Sequence, residues 1–115
     1  MPAIRLKTNV SLGGEAATWL PAELSRITAE TIGKPERYVM AVCEEASMIM
    51  AGERAPAAFV EVGSIGGLGG DVPHRLTALI CDALKKRLDI PPDRVYVCFT
   101  DVSADKWGWN GSTFG

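Results

Sequence analysis

The hydrophobic pattern of the chain runs through two similar cycles. Strand-like stretches at 3–10 and 58–65 open the two halves, and each is followed by apolar residues at helical spacing and then by a short apolar run. In the first cycle Leu20, Leu24, Ile27 and Thr31 fall at i, i+4, i+7 and i+11, a mostly apolar stripe on a helix whose other face carries Glu23, Arg26 and Glu30. Thr18 is placed to cap that helix and Pro21 to occupy its first turn. Gly33 followed by Pro35 ends it, because glycine accepts a left-handed backbone and proline blocks continuation. In the second cycle Leu76, Leu79, Ile80, Ala83, Leu84 and Leu88 form the predicted buried stripe, Asp71 the cap, and Lys85, Lys86 and Arg87 complement the negative end of the helix dipole.

The cycles are copies of one another. Pro35-Glu36-Arg37-Tyr38-Val39 returns 57 positions later as Pro92-Asp93-Arg94-Val95-Tyr96, so the chain reads as a strand–helix–strand unit used twice, with halves of about 1–57 and 58–115. This predicts one α+β domain over 1–115. The runs 38–43 and 95–99 are nearly continuously apolar, the pattern of strands covered on both faces. Two helices can cover only one face of a sheet. The second face and the strand edges then need another cover, which points to a symmetric homo-oligomer.

Composition narrows the function. The 115 residues include 12 Lys and Arg against 14 Asp and Glu, a net charge of −2, with no basic run to meet nucleic-acid phosphates. Cys43, Cys81 and Cys98 are odd in number and form no C-x-x-C pair, so no disulfide framework is indicated. No signal-like apolar stretch opens the chain and no 18-residue apolar run occurs, which predicts a cytosolic, soluble protein with no membrane partner. His74 is the single histidine and the cysteines match no zinc spacing, so neither metal nor cofactor is expected. The glycine-rich stretch 63–70 lacks the lysine and hydroxyl of a phosphate loop and reads as a flexible connection. Glu44 and Glu45 would point to opposite faces of a strand rather than share one acid–base site.

One candidate for proton chemistry remains. Proline follows Met1, and initiator methionine is commonly removed ahead of a small residue, which would leave Pro2 as the terminal residue. A prolyl terminus is a rigid secondary amine, and a low-dielectric pocket or a nearby cation would lower its pKa and leave it neutral, able to act as a base. Met-Pro alone is common and specifies nothing.

The motifs Met1-Pro2, Thr8-Asn9-Val10, Gly33-Lys34-Pro35, Ser64-Ile65-Gly66, Pro92-Asp93-Arg94-Val95-Tyr96 and the tail from Gly108 to Phe114 together resemble the macrophage migration inhibitory factor family, in order and spacing, over essentially the whole chain. The resemblance implies a four-stranded sheet of duplicated units carrying two helices on one face, assembled as a homotrimer. It also implies an enzyme that interconverts keto and enol forms of α-keto acids such as phenylpyruvate, with no cofactor. On that resemblance Pro2 is the catalytic base, and Lys34 with the Ile65 backbone N–H, next to Ser64, holds the substrate carboxylate. Tyr96 matches a tyrosine that reaches the pocket from the neighbouring subunit, and Tyr38, Trp107, Trp109 and Phe114 match its aromatic walls.

Three departures bear on function. Cys98 stands where the family's cytokine has an asparagine that bonds the distal end of the substrate. The segment 56–59 lacks the cytokine's C-x-x-C, so thiol–disulfide exchange has no basis here. Residues 11–14 replace a loop arginine used in receptor contact, which leaves receptor binding less supported than tautomerisation. The alternatives are a cytokine-like binding protein with a vestigial pocket and a trimer that binds α-keto acids without turning them over.

Overall fold

A computed structural model describes residues 1–115. Strand β1 (Pro2–Thr8), helix α1 (Ala16–Ile32) and strand β2 (Met40–Glu45) are followed by β3 (Ala58–Ser64), α2 (Val72–Leu88) and β4 (Val95–Asp101). Both helices have 17 residues, and a 3-10 turn precedes β2 at Glu36–Tyr38 and β4 at Pro92–Arg94, so the repeated sequence carries a repeated structure. The sheet order is β2-β1-β3-β4. Each half pairs its own strands in parallel, as a helical crossover requires, and the halves join through the antiparallel β1–β3 pair.

Strand alternation divides the sheet into two unlike faces. Toward the helices it turns Ile4, Leu6, Val60 and Val62, fully or almost fully buried against Leu20 and Leu24 of α1 and Leu76, Ile80 and Leu84 of α2. Thr8 is tolerated in that layer because its hydroxyl donates to the Ala57 carbonyl at 2.7 Å and accepts the Val10 N–H at 3.1 Å. On the other face the registers align Met40–Ala3–Gly63–Thr100, Val42–Arg5–Glu61–Cys98 and Glu44–Lys7–Phe59–Tyr96 in three rows. Neither helix covers this face. Its Met40 and Tyr96 are 66% and 62% exposed, so the outward-facing residues of β2 and β4 have no cover within one chain, while Ala41, Cys43, Val95, Val97 and Phe99 pack on the core.

Several elements differ from the sequence expectations. Helix α1 starts at Ala16, and the Thr18 N–H already donates to the Glu15 carbonyl at 2.9 Å, so Thr18 is inside the helix and not its cap. Pro21 consequently lies in the second turn, where its missing N–H deprives the Ala17 carbonyl of its donor. Asp71 flanks α2 without a side-chain cap, and its carboxylate pairs instead with Arg75 at 3.1 Å. Leu79 is exposed on the outer side of α2, because the sheet and α1 can reach only the narrower stripe of Leu76, Ile80, Ala83 and Leu84. Gly33 does end α1, at φ 81°, its N–H donating to Ala29 at 2.9 Å. Tyr38 belongs to the 3-10 turn before β2, and a small hairpin, β5 (Gly108–Trp109) and β6 (Ser112–Thr113), closes the chain.

One buried polar atom generates a stability prediction. Thr28 of α1 is fully buried and its hydroxyl has no hydrogen-bond partner. Replacing it with the near-isosteric valine removes the desolvation penalty, and Thr28→Val should stabilise the fold by about 1 kcal/mol in denaturant titration. A comparable loss of stability would mean that the hydroxyl is satisfied.

Candidate active site

The β1–β3 register sets Pro2 opposite Ser64, and Ser64 lies opposite Asp101 of β4, so one end of the sheet collects residues from the start, middle and end of the chain. Pro2 is buried. Beside it opens a cavity of about 240 Å³, lined by Met1 and Pro2, by Arg37 and Tyr38 of the 3-10 turn, and by Trp107 and Trp109.

One wall is a chain of ring contacts. The Arg37 guanidinium lies 4.7 Å over the Tyr38 ring, Tyr38 meets Trp109 edge-on at 6.0 Å, and Trp109 stacks on Phe114 at 5.8 Å. The C-terminal hairpin makes this possible: Asn110 and Gly111 both take positive φ, at 53° and 83°, and the Phe114 N–H donates to the Trp107 carbonyl at 3.2 Å. Trp107 lies over Gly63 of β3, where a Cβ would stand 3.7 Å from the ring.

The other side is polar and built from backbone. Ile65 follows β3, and its N–H donates to the Met1 carbonyl at 3.3 Å. Beyond it Gly66 and Gly67 adopt φ of 68° and 78°, a turn that side chains rarely allow. The turn is tied down twice: the Gly66 N–H donates to the Asp101 carboxylate at 3.1 Å, and the Ser64 hydroxyl donates to the Gly66 carbonyl at 2.7 Å. A Cβ on Gly67 would stand 2.6 Å from Ile32 Cγ2 and 3.5 Å from Lys34 Cε, so the turn packs on the end of α1 beside Lys34. Lys34 makes no ion pair.

Met1 sits where these parts converge. Burial first, and the Lys34 charge second, hold its α-amino group below the ordinary value of 8.0. Its carbonyl occupies the Ile65 N–H, and its peptide bond makes the Pro2 nitrogen a tertiary amide, which has no basic lone pair.

Of the residues predicted from sequence, Pro2, Tyr38, Trp107 and Trp109 line the cavity and Phe114 backs its wall. Lys34, Ser64 and Ile65 gather on the Met1 side. Tyr96 and Cys98 do not join them within one chain. Their rows lie on the uncovered face, and at ~3.3 Å per strand residue they sit roughly 16 Å and 10 Å back along β4 from Asp101. Two site residues went unread. Arg37 has the same sequence context as Arg94, yet Arg94 spends its guanidinium on the carbonyls of Met50, Glu53, Ala55 and Pro56 while Arg37 lines the cavity. Asp101 ends an apolar run, and only the sheet register reveals what it faces. Cys43 and Cys81 offer little reactivity, because burial pushes the first up to about 11 and raises the second as well.

Comparison with known proteins extends over the whole molecule. Residues 1–115 match the family model described as macrophage migration inhibitory factor. The macrophage migration inhibitory factor of Mus musculus is 37% identical over 115 residues, covering 99% of each chain, and the homologue from Trichinella spiralis is 34% identical over 99% of this chain and all of its own. The crystal structure of the homologue from Prochlorococcus marinus superposes with a TM-score of 0.92 at 42% identity, covering 98% of this chain and 99% of the other.

The turn that presents Ile65 should depend on Asp101. Asp101→Ala removes the acceptor for the Gly66 N–H and should speed amide hydrogen exchange at Gly66 by at least tenfold, whereas Asp101→Asn keeps an acceptor oxygen and should keep most of the protection. Equal exchange in both variants would show that the carboxylate does not hold the turn.

Proposed function

The chain belongs to the macrophage migration inhibitory factor family, and from that premise we propose that it is a keto–enol tautomerase of α-keto acids such as phenylpyruvate, with the Pro2 nitrogen carrying the proton. The observation that carries the proposal is the bond from the Ile65 N–H to the Met1 carbonyl at 3.3 Å, beside Lys34. A carbonyl oxygen already occupies the place assigned to a substrate carboxylate oxygen, so the site accepts the right kind of atom. Removing Met1 frees that N–H and, in the same cut, turns the Pro2 amide into a secondary amine.

The chemistry needs no further component. The neutral Pro2 amine takes a proton from C3 of the bound keto acid, the C–H electron pair becomes the C2–C3 double bond, and the C=O π pair moves onto the carbonyl oxygen. Returning the proton to that oxygen gives the enol and restores the amine. Lys34 and the Ile65 N–H fix the substrate carboxylate, and the Tyr38–Trp109–Phe114 wall limits water at the reacting carbon. Burial and the Lys34 charge, the two influences that lower the amine of Met1, act in the same direction on an amine at Pro2.

Homotrimeric assembly is part of the proposal. The open edges of β2 and β4, the exposed Met40, Val42 and Tyr96, and a cavity lined in part by Met40 and Ala3 support a neighbour packed against this face. A neighbouring copy would also supply Tyr96 and Cys98, which this chain holds too far from its own Pro2 to use.

Three outcomes test the reading. Pro2→Gly should lower phenylpyruvate enolisation by about 10²- to 10⁴-fold, the range for losing a positioned base, with the fold intact by circular dichroism. In wild type kcat/KM should rise with pH and level off above an inflection below the usual α-amino range, because the uncharged amine is the active form. Lys34→Gln removes a positive neighbour, so that inflection should move upward; a downward shift or none would contradict the assigned role.

A further inference from the structure

Arg37 is the single charged side chain lining the cavity beside Pro2; the rest of the lining is apolar, aromatic or glycine. It is also unneutralised. The adjacent acid, Glu36, is drawn away by the Ser25 hydroxyl of α1, which donates to its Oε2 at 2.9 Å, and no carboxylate pairs with Arg37 anywhere in the chain. The guanidinium carbon lies over the Tyr38 ring, 4.7 Å from its centroid, and Tyr38 is braced in turn by Trp109. None of the side-chain hydrogen bonds of the chain uses the Arg37 guanidinium, so its N–H fork is free for a carboxylate. Lys34 stands outside this lining, against the Gly66–Gly67 turn. The site therefore presents two separate cations, Lys34 beside the Gly66–Gly67 turn and the exposed Arg37 lining the aromatic cavity.

We propose that Arg37 binds a second carboxylate of the substrate, so that the preferred substrates are α-keto dicarboxylic acids. The inference rests on the tautomerase reading and names its substrate class. Lys34 and the Ile65 N–H hold the carboxylate next to the ketone, and Arg37 holds the distal one. C3, which loses its proton, lies between the two anchors beside Pro2. An aryl side chain fits the same apolar walls but leaves the guanidinium without an anion.

The test uses the full-length protein lacking Met1, with 2-oxobutanedioate and 2-oxopentanedioate as diacids and phenylpyruvate as the monoacid, each followed by deuterium incorporation at C3. The ratio of kcat/KM for diacid over monoacid, corrected for uncatalysed exchange, should exceed one in wild type. It should fall ~10- to 100-fold in Arg37→Gln, the loss expected for one charge-assisted bidentate contact, and fall less in Arg37→Lys. An unchanged ratio, or equal losses on both substrate types, overturns the role of Arg37. Pro2→Gly separates this from the parent reading: if it leaves exchange of every substrate at wild-type rates, the tautomerase assignment itself fails, whereas loss of all exchange alongside an unchanged Arg37→Gln ratio defeats the diacid proposal alone.

Discussion

The antiparallel register of β1 on β3, Pro2 against Ser64 through Thr8 against Ala58, is the constraint on which the rest of the molecule depends. It joins the duplicated halves, and it places the start of the chain beside the Ile65 turn and the end of β4. A slip of one residue would turn Ile4, Leu6, Val60 and Val62 out of the core, so the register is fixed by the burial that stabilises the fold. The position of Pro2 is thus a consequence of core packing rather than of local contacts at the cavity.

Duplication explains the frame, and the differences between the copies explain the site. Helix α1 ends in Gly33-Lys34-Pro35 and α2 in Asp89-Ile90-Pro91, both through a left-handed residue. At the next position the first copy has the unpaired cation Lys34 beside the Ile65–Gly67 turn, and the second has Ile90, wholly buried in the core. The arginines of the 3-10 turns diverge in the same way: Arg94 secures the 50–56 loop through its carbonyls, and Arg37 stays free to face the cavity. One half supplies charge to the site and the other spends its equivalents on structure.

The sequence made the elements legible because their periodicities are set by burial against one another, and the helix stripes, Leu79 apart, lie where that pattern puts them. It misplaced what weaker local forces decide. Thr18 and Asp71 had the chemistry of caps without the geometry, and Leu79 had the spacing of the core without a neighbour to bury it. The closing hairpin went unpredicted, although Asn110-Gly111 is a pair suited to its two successive positive φ angles. Pro2 stood out in the sequence only as a possible terminal amine, and the roles proposed for Lys34 and Ile65 came from family resemblance, not from any chemical signature of their own. Arg37 and Asp101 needed the structure, since their roles depend on which partners are absent and on a register spanning the whole chain.

The account turns on the nitrogen of Pro2 and on the N–H of Ile65, both engaged by Met1. The most direct measurement separates protein retaining Met1 from protein lacking it, verifies each by intact mass, and compares their enolisation of phenylpyruvate. Activity should follow the fraction that lacks Met1, with the retained form slower by at least about 10²-fold. Equal turnover by the two forms would contradict the account, because a peptide-bonded proline nitrogen cannot carry the proton.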